Sequence, residues 1–164
     1  MSGPVWTTVG VRIDDRPEEL VVAADRAGLT RLGFAPWTPP AGSARADDHP
    51  VLAAARRQLA AYFSGAEAAF DLPLAPPGSA FRQQVWARLR EIPYGTTTTY
   101  GAIARDLGLG GHAARAVGLA NGANLIAVVV PCHRVVGADG RLTGYAGGLD
   151  RKRALLALER SALC

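Results

Sequence analysis

The chain is poor in lysine: of eighteen basic residues only Lys152 is one. It is equally sparing with thiols and imidazoles, holding two cysteines, Cys132 and Cys164, and three histidines in 164 residues. Two thiols, one of them the last residue, make no disulfide framework, so Cys132 is expected as a free thiol in a reducing cytoplasm. Residues 1–77 contain no cysteine and only His49, which excludes a Cys/His zinc site in that half, and no metal site is expected elsewhere. No apolar run approaches the roughly 20 residues of a membrane span. The opening "MSGPVWTTVG" lacks the basic start and apolar core of a secretory signal, so no membrane partner is expected.

What is present is a globular composition, 49% hydrophobic and 20% charged, enough for one domain or two small ones. The charge is uneven. Residues 1–77 hold seven arginines against nine acidic residues, a net −2, whereas 78–164 hold eleven basic against five acidic, a net +6. A polyanion partner for the second half and an ordinary solvated basic surface both account for this. The sign changes at "DLPLAPPGS" (71–79), whose three prolines and glycine read as a linker. Two domains, 1–77 and 78–164, are therefore expected.

In the first, "EELVVAADRAGLTRLGF" (18–34) predicts two short strands about a turn at Asp25–Gly28, and 35–48 a loop. "HPVLAAARRQLAAYFSG" (49–65) predicts a helix with Pro50 in its first turn and Gly65 at its end. In the second, Ser79 can cap a helix that buries Phe81, Val85, Leu89 and Ile92. A short helix after Thr98 or Thr99, burying Ile103 and Leu107, a glycine-rich turn at 108–111, and a helix over 112–121 form a helix-turn-helix candidate. That second helix, "AARAVGLANG", offers small residues and one long cation, Arg115. Such a face suits close approach to a narrow groove with one inserted side chain; a packed core helix is the alternative. "LIAVVV" (125–130) predicts a buried strand, "GADGRLTG" (137–144) a hairpin or wing, and "DRKRALLALERSA" a helix capped by Asp150 with Leu155 and Leu158 inward.

The chemistry-bearing stretch is "PCHRVVG" (131–137). A thiol of ordinary pKa is only a few per cent thiolate at neutral pH, so a nucleophilic cysteine needs a base or a cation beside it. His133 and Arg134 follow Cys132 directly, and Glu159 on the last helix can orient the imidazole. The dipeptide alone equally describes a small core cysteine next to a surface histidine.

Taken with its surroundings, "PCHRVVG" resembles the active-site signature of the O6-alkylguanine-DNA alkyltransferase (methylated-DNA–protein-cysteine methyltransferase) family. The resemblance extends in order and spacing through "FRQQVWARLREIPYGTTTTYGAIA", "AARAVGLANGAN", "GRLTGYAGG" and "RKRALLALE", about residues 78–159. The first half resembles the family loosely, through "VVAADRAGLTRLGF". The resemblance implies an α/β fold (α+β): a small N-terminal, ribonuclease-H-like α/β domain with a short sheet that supports a mostly helical C-terminal domain carrying a helix-turn-helix or winged-helix-like motif.

It also implies DNA repair by direct reversal, in a single-turnover reaction without cofactor. Cys132 accepts the alkyl group, His133 deprotonates it through a water, and Glu159 polarises His133. Asn124 shapes the turn beneath the site, and Tyr100 hydrogen-bonds guanine N3 and helps protonate the leaving base. Arg115, on a helix whose Ala114 and Gly118 permit close approach, fills the space left by the flipped nucleotide. The main chain of Cys132 and Val135 reads the guanine amino group, the Ala146 amide faces O6, and Tyr145, Gly147 and Lys152 line the pocket. The partner implied is double-stranded DNA containing O6-alkylguanine, met by a monomer with no obligate protein partner. Two positions depart from the family pattern: Leu125 follows Asn124 where proline is frequent, and Ala146 stands where serine is common. A binding-only relative lacks the cysteine, and a regulator carries an extra cysteine-rich module. A cysteine hydrolase leaves Arg115 and the basic half unexplained.

Overall fold

The computed structural model describes residues 3–163, so Cys164, the second thiol, lies outside the described residues. The chain forms two compact units, Met1–Pro77 and Gly78–Cys164.

The first unit is a four-stranded sheet with one helix. Strands β1 (Val5–Ile13), β2 (Arg16–Ala24) and β3 (Leu29–Phe34) form an antiparallel meander, and β4 (Ala44–Arg45) adds in parallel to β1, giving the order β3-β2-β1-β4. The two central strands pair from Val5↔Ala24 to Ile13↔Arg16 across a turn in which Asp14 and Asp15 both take positive φ. Alternation sets the faces: Thr7, Val9, Val11 and Ile13 of β1 and Leu20, Val22 and Ala24 of β2 lie on one face and are buried, while Val21 and Ala23 of β2 are buried on the other. Helix α1 (Pro50–Phe63) supplies Leu52, Ala55, Leu59 and Tyr62 to this core, with Pro50 in its first turn. The strands over 18–34 and the helix over 49–65 are as expected, while β1 adds a strand that its pattern did not announce. Val9, Val11 and Ile13 alternate there, but Gly10 and the polar pair Thr7–Thr8 interrupt the apolar signal.

The second unit is helical. Ser79 caps α2 (Ala80–Leu89) by accepting from the Arg82 amide at 3.2 Å, as expected. Thr99 caps α3 (Tyr100–Asp106) through the Ala102 amide at 3.1 Å. After Gly108 in the left-handed region and a 3-10 turn over Gly111–Ala113, α4 (Ala114–Gly122) completes the helix pair, starting two residues later than predicted. Ile103 is buried, but Leu107 is only half-buried because it already belongs to the turn. Two-residue strands β5 (Thr98–Thr99) and β6 (Val135–Val136) pair in parallel, and α5 (Leu149–Ala162) closes the unit.

Three expectations are corrected here. Residues 125–130 are not a strand but a chain of turns, in which Val128 takes φ 71°. The Asn124 side chain takes the backbone groups that a sheet would need: its Nδ2 donates to Val130 O (2.8 Å) and Ile126 O (3.3 Å), and its Oδ1 accepts from Ile126 N (3.0 Å). The 137–144 segment has no paired strands; it is a tight loop closed by Gly137 N to Arg141 O at 2.9 Å. Helix α5 starts from Gly148 at φ 92°, which leaves Asp150 in the first turn rather than at the cap. Its inward residues are Lys152, Leu155, Leu156 and Glu159, while Leu158 is half-buried.

Candidate active site

Pro131 has φ −81° and ψ 63°, and Cys132 N donates to Val130 O at 2.8 Å, an inverse γ-turn. This bend delivers Cys132 into a one-turn 3-10 helix, Cys132–Arg134, so that neighbours which would point apart on a strand share one buried region. Cys132 is 6% exposed and His133 and Glu159 are 0% exposed. His133 Nε2 lies 2.7 Å from Glu159 Oε2, while its Nδ1, also buried, takes no hydrogen bond from the protein.

Glu159 is held from every side. Arg134 grips it with Nε to Oε1 (2.8 Å) and Nη2 to Oε2 (2.9 Å), and Gly95 N donates to Oε1 (3.2 Å). Arg134 also donates to Ile92 O (2.8 Å) and stacks its guanidinium 5.5 Å from the centre of the Tyr94 ring. A two-pronged arginine–carboxylate pair is geometrically rigid, so the carboxylate that orients His133 is itself immobile. The sequence makes Arg134 a positive neighbour of the thiol; in the fold it is this clamp. The clue in the sequence was a charged side chain inside an otherwise apolar stretch, which must be paired if buried.

Burial pushes the Cys132 thiol above its ordinary pKa, opposed by the Asn124 amide and the Lys152 charge, so the resting group is S–H. Burial also lowers His133, against the pull of Glu159, which leaves a neutral imidazole with basic capacity at neutral pH. A buried S–H thus stands next in the chain to a neutral imidazole that can accept a proton.

Lys152 is 0% exposed. Its Nζ donates to Val135 O (2.7 Å) and Thr143 O (2.9 Å), tying the 137–148 segment to β6. Burial lowers its pKa, and the nearby Cys132 works in the opposite sense. Tyr100 at the start of α3 reaches the same segment through Thr143 Oγ1 at 2.6 Å. The Tyr145 hydroxyl is buried with no protein partner, and burial followed by the proximity of Cys132 raises its pKa well above the usual phenol range. Ala146 is exposed and Gly147 half-buried, the carbonyl of Gly147 accepting from Arg151 Nη1 at 3.1 Å. Val135 is buried, its carbonyl already engaged by Lys152, and Cys132 O accepts from Val135 N.

Helix α4 faces two ways. Val117, Ala120 and Asn121 point inward, with Trp86 Nε1 donating to Ala120 O at 2.9 Å. Arg115, Ala116, Leu119 and Gly122 are exposed, Leu119 at 71%. Ala114 is half-buried, and a Cβ on Gly118 would meet the Tyr100 ring at 3.7 Å, an ordinary contact. The structure thus gathers Cys132, His133, Glu159, Asn124, Val135, Tyr145 and Lys152, with Tyr100 joined through Thr143. Arg115 stands apart, on the outer face of α4. Asn121 and Thr143 were not foreseen as site residues.

Residues 80–161 match the family model for the 6-O-methylguanine DNA methyltransferase DNA-binding domain, and residues 18–76 match that family's ribonuclease-like domain. The chain belongs to the O6-methylguanine-DNA methyltransferase family. A methylated-DNA–protein-cysteine methyltransferase from Mycolicibacterium paratuberculosis is 52% identical over 91% of each chain. One from Methanosarcina acetivorans is 60% identical over 65% of this chain and 68% of its own. The crystal structure of Mycobacterium tuberculosis OGT in complex with DNA superposes with a TM-score of 0.80 at 46% identity, covering 94% of this chain and 93% of the other. Like its relatives, this methyltransferase binds DNA and repairs it by moving an alkyl group to a protein cysteine, in a single turnover. Among the described residues, no helix is long and apolar enough to cross a membrane.

Proposed function

We propose that Cys132 is the acceptor and that the substrate is O6-alkylguanine flipped out of double-stranded DNA. The observation that carries this reading is a buried thiol beside a neutral histidine. One ring nitrogen of that histidine is fixed on a clamped carboxylate, and the other is unspent. An O6-alkyl group is hidden in the base stack, so attack requires extrusion of the nucleotide at a cost of a few kcal/mol. The exposed Arg115, on a helix face of small residues, fills the gap that the nucleotide leaves.

The Cys132 proton passes to His133 through a water. The sulfur then attacks the alkyl carbon in line; the C–S bond forms as the C–O6 bond breaks, and the electron pair enters the base. Tyr100 leaves Thr143 to hydrogen-bond N3 and helps protonate the departing base, so guanine leaves neutral. The Ala146 amide faces O6, and Tyr145, Gly147 and Lys152 line the pocket. Such an alkyl transfer from oxygen to sulfur needs neither metal nor redox cofactor, and the thioether product does not hydrolyse under mild conditions. The protein acts as a monomer in the cytoplasm.

The test is to react the protein with a duplex bearing O6-methylguanine and weigh the intact product. One added methyl is expected on the peptide containing Cys132, and none in Cys132→Ala. Methyl found on Cys164, or repeated turnover, would overturn the assignment.

A further inference from the structure

Asn121 is 4% exposed, on the inner face of α4, and it is the one buried amide side chain among the described residues that is half spent. Its Nδ2 donates to the carbonyl of Cys132 at 3.4 Å, while its Oδ1 takes no hydrogen bond from the protein. Asn124, three residues on, uses both ends of its amide within the fold. A buried acceptor left without a donor from the fold is costly and uncommon, and where one persists it is met by an ordered water or by a ligand that displaces that water. The opposite amide orientation would set two oxygens against each other at the Cys132 carbonyl, so the free atom is the oxygen.

The substrate limits what that donor can be. Alkylation at O6 holds the guanine ring in the form with no hydrogen on N1, and N9 carries the sugar. The exocyclic 2-amino group is then the only N–H donor on the base. Cys132 O already accepts from Val135 N and Asn121, and Val135 O from Lys152, so these carbonyls meet the substrate with part of their capacity spent.

We propose that Asn121 is a further substrate-reading residue, its Oδ1 accepting a hydrogen bond from the 2-amino group of the flipped base. This rests on the assignment of Cys132 as acceptor and of O6-alkylguanine as substrate. A base that keeps the O6-alkyl group but lacks the amino group leaves Oδ1 unpaired, and the penalty falls on that base alone.

The experiment compares single-turnover rates on two duplexes that differ only in carrying O6-methylguanine or O6-methylhypoxanthine. It is run on the parent, Asn121→Leu and Asn121→Met, with thermal melting to confirm folding. The parent is expected to prefer the aminated base, and both variants to lose about five- to tenfold of that preference, the worth of one hydrogen bond. Because the preference is a ratio within one protein, a general loss of packing slows both duplexes and leaves it unchanged. An unchanged ratio in the folded variants overturns the role of Asn121. Failure of the parent to methylate Cys132 overturns the underlying assignment instead.

Discussion

In the unit Met1–Pro77 the one buried polar side chain among the described residues is Thr7, whereas Gly78–Cys164 buries Asn121, His133, Arg134, Lys152 and Glu159. The first core is apolar side chains between a sheet and a helix, where shape and area decide stability. The second contains two basic groups, a carboxylate, an imidazole and an amide, all withdrawn from water. Replacing such groups by apolar ones of similar shape is often neutral or stabilising, so their presence is poor evidence of a stabilising purpose. They surround the Cys132 thiol and fix the His133 imidazole on Glu159. The two units share a chain and differ in what their interiors are for.

The contrast can be broken by removing one group from each interior. Glu159→Gln leaves the Arg134 charge buried and unpaired and frees His133, so a loss of about 3–5 kcal/mol is expected in denaturant unfolding. The same variant should slow reaction with free O6-benzylguanine by roughly a hundredfold or more, as expected when a base loses the group that orients it. Leu52→Ala, at a fully buried position of α1, should cost about 2–5 kcal/mol, with the transfer rate unchanged wherever the protein remains folded. A comparable slowing in Leu52→Ala would dissolve the distinction.

Two smaller effects sharpen it. Arg115→Ala removes an exposed side chain and should leave the melting temperature within error. It should slow repair of duplex DNA roughly ten- to hundredfold while sparing reaction with free O6-benzylguanine. Equal losses on the two substrates would remove Arg115 from base extrusion. The mildest test is acid. His133 has a folded pKa below the ordinary imidazole value, so the unfolded chain binds its proton first, and stability falls as pH drops below about 6.5. Asp47 in the first unit is held low by the Thr7 hydrogen bond, then by Arg45. Its contribution is present above about 3.8 and is lost only as pH falls from there toward its lower folded value. Hydrogen exchange along a pH series should therefore show the second unit loosening first.

Much of this was legible before any coordinates, because the signals were local. Ser79 and Thr99 announce helix starts by residue type, Pro50 and Gly65 bound α1, and Cys132-His133 is contiguous. Where the reading failed, a side chain distant in sequence or a special backbone had decided the outcome. Residues 125–130 carry the composition of a strand, yet Asn124 takes the carbonyls of Ile126 and Val130 and folds the segment into turns. Arg134 looked like a companion of the thiol, and only the return of α5 twenty-five residues later shows that it grips Glu159. Asn121 sits in a helix of small residues whose outward face carries its one long cation, Arg115. Its inward side chain acquires meaning only once Cys132 is placed beneath it.

Lys152 is the chain's single lysine and is fully buried, with its amine on the carbonyls of Val135 and Thr143. An amine-directed acylating reagent therefore finds, besides the amino terminus, one target, and reaches it only when the 137–148 segment lifts from β6. The labelling rate is thus a clock for that local opening. Read with and without an alkyl group on Cys132, the same clock reports whether spending the thiol loosens the site around it.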